Sequence, residues 1–155
     1  MAVFEVSEFV NTAVKDEEIG EAFYRALAGG VKESGIKDAL LRIADQEKYH
    51  ASRFREMLKE VKGTKVRQEY AGQYEAYLKT LLENRAFLDA GRAVETAKKL
   101  SVKDGLKMAV NMERDTIIFY DEILKFVPKT NEKFVADIIG EEKGHLVELS
   151  RLLNM

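Results

Sequence analysis

The 155-residue sequence contains no cysteine, which excludes a disulfide framework, a thiolate zinc site and a cysteine-ligated iron centre within this chain. Any metal it holds is bound through oxygen and imidazole, and the lack of thiols fits a reducing cytoplasm. Proline occurs once and no Gly/Ser/Pro tract interrupts the chain, so a helix-rich globular protein is expected rather than an all-β or disordered one. Nowhere do eighteen apolar residues run together, and the start lacks a basic segment followed by an apolar one, so neither a membrane span nor a secretory signal is expected. An excess of positive charge is missing as well. The 25 basic and 27 acidic residues, net −2, are scattered along the chain, which leaves no basic face for a phosphate backbone and removes nucleic acid from the expected partners.

What remains is 46% apolar and 34% charged residues, enough to close one core, so residues 1–155 are expected to form a single domain. Apolar residues spaced three and four apart mark four long helices. The first runs through Val6, Val10, Ala13, Gly20, Tyr24 and Leu27 and stops near Gly29 and Gly30. The second runs through Ile36, Leu40, Ile43, Phe54, Met57 and Val61 and stops at Gly63. The third, capped by Ser101 with Asp104 behind it, runs from Val102 through Leu106, Ala109, Tyr120 and Ile123 to Val127, with Pro128 just past its end. The fourth, with Thr130 or Asn131 as N-cap, runs through Val135, Ile138, Leu149 and Leu152. Short links make two antiparallel hairpins, about 3–62 and 101–154, joined by a partly helical crossover over about 63–100. The expected fold class is all-α, a four-helix bundle.

Each of the four apolar stripes is broken near its middle by a glutamate: Glu17, Glu47, Glu113 and Glu142. In the second and fourth helices a histidine, His50 or His145, follows one turn later. These are the only two histidines in the chain. Burying an ionised carboxylate costs several kcal/mol, roughly, even after relaxation, so four that face one another need cations between them. Lysine and arginine are absent from these stripe positions, and two divalent cations balance four carboxylates. Glu and His three residues apart lie about 60° apart around a helix and reach one metal together. In the first helix Glu17 fits the stripe, Glu21 one turn on is the runner-up, and Glu18 points away.

The halves also repeat. E-x5-FY holds Glu17 and Tyr24, and recurs 96 residues later with Glu113 and Tyr120; E-x-x-H holds Glu47 and His50, and recurs 95 residues later with Glu142 and His145. A duplicated hairpin implies a pseudo-two-fold bundle in which equivalent residues face each other. Tyr24 and Tyr120 are read either as ordinary aromatic core residues or, each lying two turns from the glutamate of its own helix, as hydroxyls that reach carboxylates across the core. Gly20 and Gly144 are read as sites of close helix packing, and Met57, Met108 and Met112 as core filler.

The doubled pattern resembles the erythrin domain of rubrerythrins, within the ferritin-like superfamily, over both hairpins. That resemblance implies two iron ions, with manganese or a mixed pair as alternatives for the same O/N donors. It implies that Glu47 and Glu142 bridge them, that Glu17 and Glu113 are terminal ligands, that His50 and His145 complete the coordination, and that Tyr24 and Tyr120 stand behind the ligands. The implied activity is reduction of hydrogen peroxide or oxygen. Because the four-cysteine, rubredoxin-like domain of rubrerythrins has no counterpart here, electrons are expected from an external donor such as a rubredoxin. Where rubrerythrins place an extra glutamate in the third helix this chain has Thr116, which lacks the carboxylate used in their ligand exchange. Two rival functions are a ferroxidase or iron-binding protein and an interaction module that metals merely hold together. Cage storage is disfavoured, since the sequence ends at Met155 where ferritin cages usually add a short fifth helix. A homodimer, formed by exchange of hairpins, is an assembly the crossover allows.

Overall fold

The computed structural model describes residues 5–65 and 73–155, with side chains described except at 73 and 74. Six helices follow in order: α1 (Val6–Gly29), α2 (Ser34–Val61), α3 (Gln73–Glu83), α4 (Ala90–Lys99), α5 (Val102–Leu124) and α6 (Lys129–Leu153). Helices α1, α2, α5 and α6 form an all-α, ferritin-like four-helix bundle in two antiparallel hairpins. None of the described helices is long and apolar enough to cross a membrane.

The apolar stripes lie where their spacing puts them. Val6, Val10, Ala13, Tyr24 and Leu27 of α1 are buried, and they meet Leu40, Ile43, Phe54, Met57 and Val61 of α2. Leu106, Ala109, Tyr120 and Ile123 of α5 and Val135, Ile138, Leu149 and Leu152 of α6 complete the interior. Two apolar clusters result, one at each end of the bundle, with Phe54, Tyr120 and Ile123 in the first and Tyr24, Leu40 and Leu149 in the second. Each fully buried large side chain stabilises by about 1.5–3 kcal/mol through removal of apolar surface from water. The polar layer lies between them.

Local signals explain the ends. The Ser101 side chain accepts from the Asp104 N–H at 3.1 Å, which caps α5. Gly63 has φ +84°, the left-handed conformation that ends α2 without a Cβ penalty. Glu33 caps α2 by accepting from the N–H groups of Gly35 at 2.8 Å and Ile36 at 2.7 Å, a role that its sequence position did not suggest. The fourth helix departs from expectation: it begins at Lys129 with Pro128 at the N-cap, so neither Thr130 nor Asn131 caps it. The extended backbone of Pro128 offers its carbonyl to the Asn131 N–H at 2.8 Å, and the buried Asn131 amide is used elsewhere, donating to Glu60 on α2 at 2.8 Å. Helix α5 ends at Leu124, and Val127 stays buried in the turn that follows.

Residues 66–72 of the crossover lie outside the described residues. Residues 73–99 contain two short helices, α3 and α4, rather than one accessory segment. Ala93 and Ala97 of α4 are buried and pack against α1, while α3 lies on α5. Arg85, between them, pairs with Asp16 of α1, and Phe87 meets Phe23 with ring centres 5.8 Å apart. Gly105 of α5 permits close approach to α1, since a Cβ there would sit 2.4 Å from the Leu27 Cδ1.

Candidate metal centre

Helix α1 carries Glu17, α2 carries Glu47 and His50, α5 carries Glu113, and α6 carries Glu142 and His145. Every one of these six side chains is buried, with at most 4% of its surface exposed. They converge into two overlapping groups, Glu17–Glu47–His50–Glu142 and Glu47–Glu113–Glu142–His145. Within each group one donor atom per residue lies within 4.8 Å of the others. Glu47 and Glu142 belong to both groups. The alternatives in α1 lie elsewhere: Glu21 pairs with Arg25 at 3.0 Å and Glu18 with Arg55, both on the surface side of the helix.

Both imidazoles turn Nδ1 inward. His50 Nδ1 lies 3.0 Å from Glu142 and 3.6 Å from Glu17, and His145 Nδ1 lies 3.0 Å from Glu142, 3.1 Å from Glu47 and 3.8 Å from Glu113. Their rings stack at 5.9 Å between centres. The tyrosines cross the bundle as the repeat requires. Tyr24 donates to Glu113 at 2.5 Å, and Tyr120 donates to Glu17 at 2.7 Å. Burial pushes both phenols well above their usual range, and the neighbouring carboxylates add to the shift. The tyrosines therefore stay protonated as donors.

The carboxylates stand in an unfavourable field. Burial, then repulsion from Glu142, Glu17 and Glu113, raises the Glu47 carboxyl well above the usual range. Burial and Glu142 raise Glu113 to about 8, against the pull of His145. Burial opposes charge on the imidazoles, yet the facing carboxylates outweigh it and raise His50 to about 11 and His145 to about 9. Protons alone satisfy this cluster incompletely. The Glu17 Oε2 and Glu47 Oε1 atoms are buried and have no hydrogen-bond partner; the 3.1 Å approach of His145 to Glu47 is a contact, because the ring's single Nδ1 site is already directed at Glu142. Unpartnered buried carboxylate oxygens facing imidazole nitrogens suit hard or borderline divalent cations, so the residues fit a di-metal centre.

Gly20 serves this centre directly. A Cβ there would lie 2.6 Å from Glu47 Oε2, so the close packing expected at this glycine is packing against a cluster carboxylate. Gly144 does not behave that way, since nothing lies within 4 Å of its notional Cβ; it lines an open groove beside His145 and Gln46. Thr116 is half-buried and lines a 210 Å³ cavity beneath the crossover, together with Asp16, Arg85 and Met112. Sequence reasoning passed over Gln46 and Glu141, which hold the outer nitrogens of the two histidines. Their signal was position: each precedes the glutamate of its own E-x-x-H, 95 residues apart.

Fold and site together define a ferritin-like protein of the di-iron carboxylate class, with a buried Glu/His cluster suited to two metals. The rubrerythrin family pattern matches residues 8–153, and the chain belongs to that family. A crystal structure from Thermotoga maritima, described as a ferritin-like diiron-carboxylate protein, is similar at 31% identity and a TM-score of 0.76, over 99% of this chain and 97% of that one. A search of curated proteins returns no significant match.

Proposed function

We propose that this chain is a di-iron oxidoreductase of the rubrerythrin type, which reduces hydrogen peroxide or oxygen with electrons from an external donor. The supporting observation is the convergence of four buried carboxylates and two inward Nδ1 atoms, with two carboxylate oxygens left unpartnered. In this reading Glu17 and His50 would hold one ion and Glu113 and His145 the other, with Glu47 and Glu142, common to both groups, available to each. Two ferrous ions held by these residues would supply the two-electron redox chemistry of peroxide reduction.

The chain's own residues set the conditions. Tyr120 occupies Glu17 Oε1 and leaves Oε2 turned into the cluster; Tyr24 holds Glu113 in the same manner. Such fixed outer hydrogen bonds orient the ligands before a cation arrives. The apolar clusters above and below keep bulk water from the ends of the site. Residues 1–155 hold no cysteine, so in this reading an external donor such as a rubredoxin would return the electrons, in a reducing cytoplasm.

Anaerobic titration with Fe²⁺ tests this reading. Two ions per chain are expected, followed by an oxo-bridged ferric absorption band on adding peroxide and by repeated turnover with a reductant. Failure to form the band with two irons bound overturns the oxidoreductase. Thr116 favours one rival: without the extra glutamate of rubrerythrins, a ferroxidase or iron-binding protein would oxidise bound Fe²⁺ with oxygen yet fail to turn over peroxide.

A further inference from the structure

The two halves of the cluster differ in what stands behind each histidine. His50 Nε2 lies 2.6 Å from the Glu141 carboxylate on α6, and His145 Nε2 lies 2.5 Å from the Gln46 amide oxygen on α2. Each hairpin therefore supplies the outer partner of the other hairpin's histidine. Gln46 and Glu141 are equivalent positions of the repeat, each just before the glutamate of an E-x-x-H. One carries charge and the other does not.

That difference has a chemical consequence. A carboxylate offers only acceptors, so in the metal-loaded protein the one remaining His50 proton would sit on Nε2, toward Glu141, and leave the Nδ1 lone pair for the cluster. An amide has both an acceptor and a donor end, so Gln46 enforces the same tautomer of His145 only in the orientation with its oxygen toward the ring. Hydrogen bonds to an ionised acceptor are also roughly twice as strong as neutral ones, and a carboxylate behind a ligating imidazole makes it a better electron donor. Resting on the di-metal reading above, we infer that Glu141 and Gln46 are positioning residues that make the two metal positions unequal, with the ion on the His50 side held more tightly than the ion on the His145 side.

Zn²⁺, which is redox-inert, is the probe. Because the chain has two histidines, ¹⁵N-histidine labelling gives one ring N–H signal for each in the loaded protein. His50 N–H is expected farther downfield and slower to exchange than His145 N–H. Glu141→Gln should move the His50 signal to the His145 range and lower the overall Zn²⁺ affinity by about ten-fold. Gln46→Glu should move the His145 signal downfield and raise affinity, a gain that structural damage does not mimic. The double exchange, Gln46→Glu with Glu141→Gln, should interchange the two signals and return affinity close to native. Equal N–H signals in the native protein, or affinities that ignore both single substitutions while two Zn²⁺ still bind, overturn the inference and leave the metal centre standing. Failure of the native chain to bind two Zn²⁺ overturns the di-metal reading itself, and this inference with it.

Discussion

The hairpin of α1 and α2 and the hairpin of α5 and α6 present the same inner frame, yet they differ one atom layer further out. The donors Glu17, Glu47 and His50 repeat as Glu113, Glu142 and His145, and the crossed bonds from Tyr24 to Glu113 and from Tyr120 to Glu17 are one relation made twice. Behind them, Gln46 corresponds to Glu141, and Gly20 to Thr116. The constraint is strongest where failure costs most. An uncompensated buried carboxylate costs several kcal/mol, roughly, so the two halves keep the same donors, whereas Gln46 and Glu141 at the groove and Thr116 at the crossover cavity are not bound by that cost. Gly20 is bound instead by its approach to Glu47.

The largest test of the shared frame is loading its cluster with metal and then chelating it. A ligand at about a thousand times its dissociation constant stabilises a fold by about 4 kcal/mol, so chelation should lower the unfolding temperature by roughly 8–16 °C for a chain of this size. Glu142→Gln and Glu47→Gln should each abolish that gap. In the metal-free protein Glu47→Gln should raise stability, because burial and its neighbours penalise that carboxylate, whereas Glu142→Gln should lower it by taking the charged acceptor from both histidines. Calorimetry with and without chelator reads both signs. A loss confined to one of the two variants would break the equal sharing of these carboxylates between the halves.

The pH dependence sharpens the same point. Glu113 rises from 4.5 to about 8, His145 from 6.5 to about 9 and His50 from 6.5 to about 11 on folding. In each case the folded state binds the proton more tightly. The stability so conferred is complete below the unfolded value and is lost as pH rises through the folded one. Metal-free protein should therefore weaken from about pH 4.5 to about pH 11, as rising pH ionises the buried Glu113 carboxyl and then neutralises first His145 and last His50. Cations compete for the same lone pairs, so metal affinity should rise over that interval. Thermal scans across it that show a metal-free form growing more stable would contradict the assigned shifts.

The crossed tyrosines come next in size. Tyr24→Phe and Tyr120→Phe each remove a hydrogen bond to a buried carboxylate, a loss of about 1.5–3 kcal/mol in the metal-loaded protein. Denaturant unfolding should find the two losses alike, because each phenol is fully buried and each acceptor is a cluster glutamate. A difference beyond about 1 kcal/mol would show that the pseudo-two-fold relation stops at geometry.

The repeat made much of this legible beforehand. Periodicity located the four stripes, and glutamates interrupting them located the cluster, because both signals follow from burial. Glu17 stood out from Glu21 by the same logic, and Glu21 sits on the surface with Arg25. Two kinds of feature escaped. The fourth helix begins one residue after Pro128 because Asn131, a good capping residue by type, is drawn into a bond with Glu60 that only the folded bundle brings near. Gln46 and Glu141 escaped because each serves a histidine 91 or 99 residues away, and a polar residue on an exposed helical face carries no periodic signal.

The smallest expected effects separate two glycines that the sequence presents alike. Alanine is favoured over glycine in a helix by about 1 kcal/mol, so Gly20→Ala and Gly144→Ala gain the same intrinsic term. At Gly144 nothing lies within 4 Å of the new methyl, and the variant should show that gain in full, with metal affinity unchanged. At Gly20 the methyl would stand 2.6 Å from Glu47 Oε2 and push a shared carboxylate aside, so metal affinity should fall about ten-fold, which is about 1.4 kcal/mol, while the metal-free protein keeps most of the helical gain. Zn²⁺ titration and thermal unfolding of the two variants side by side check this. Equal affinities would mean that Glu47 swings clear at no cost, and that Gly20 owes its place to something other than the cluster.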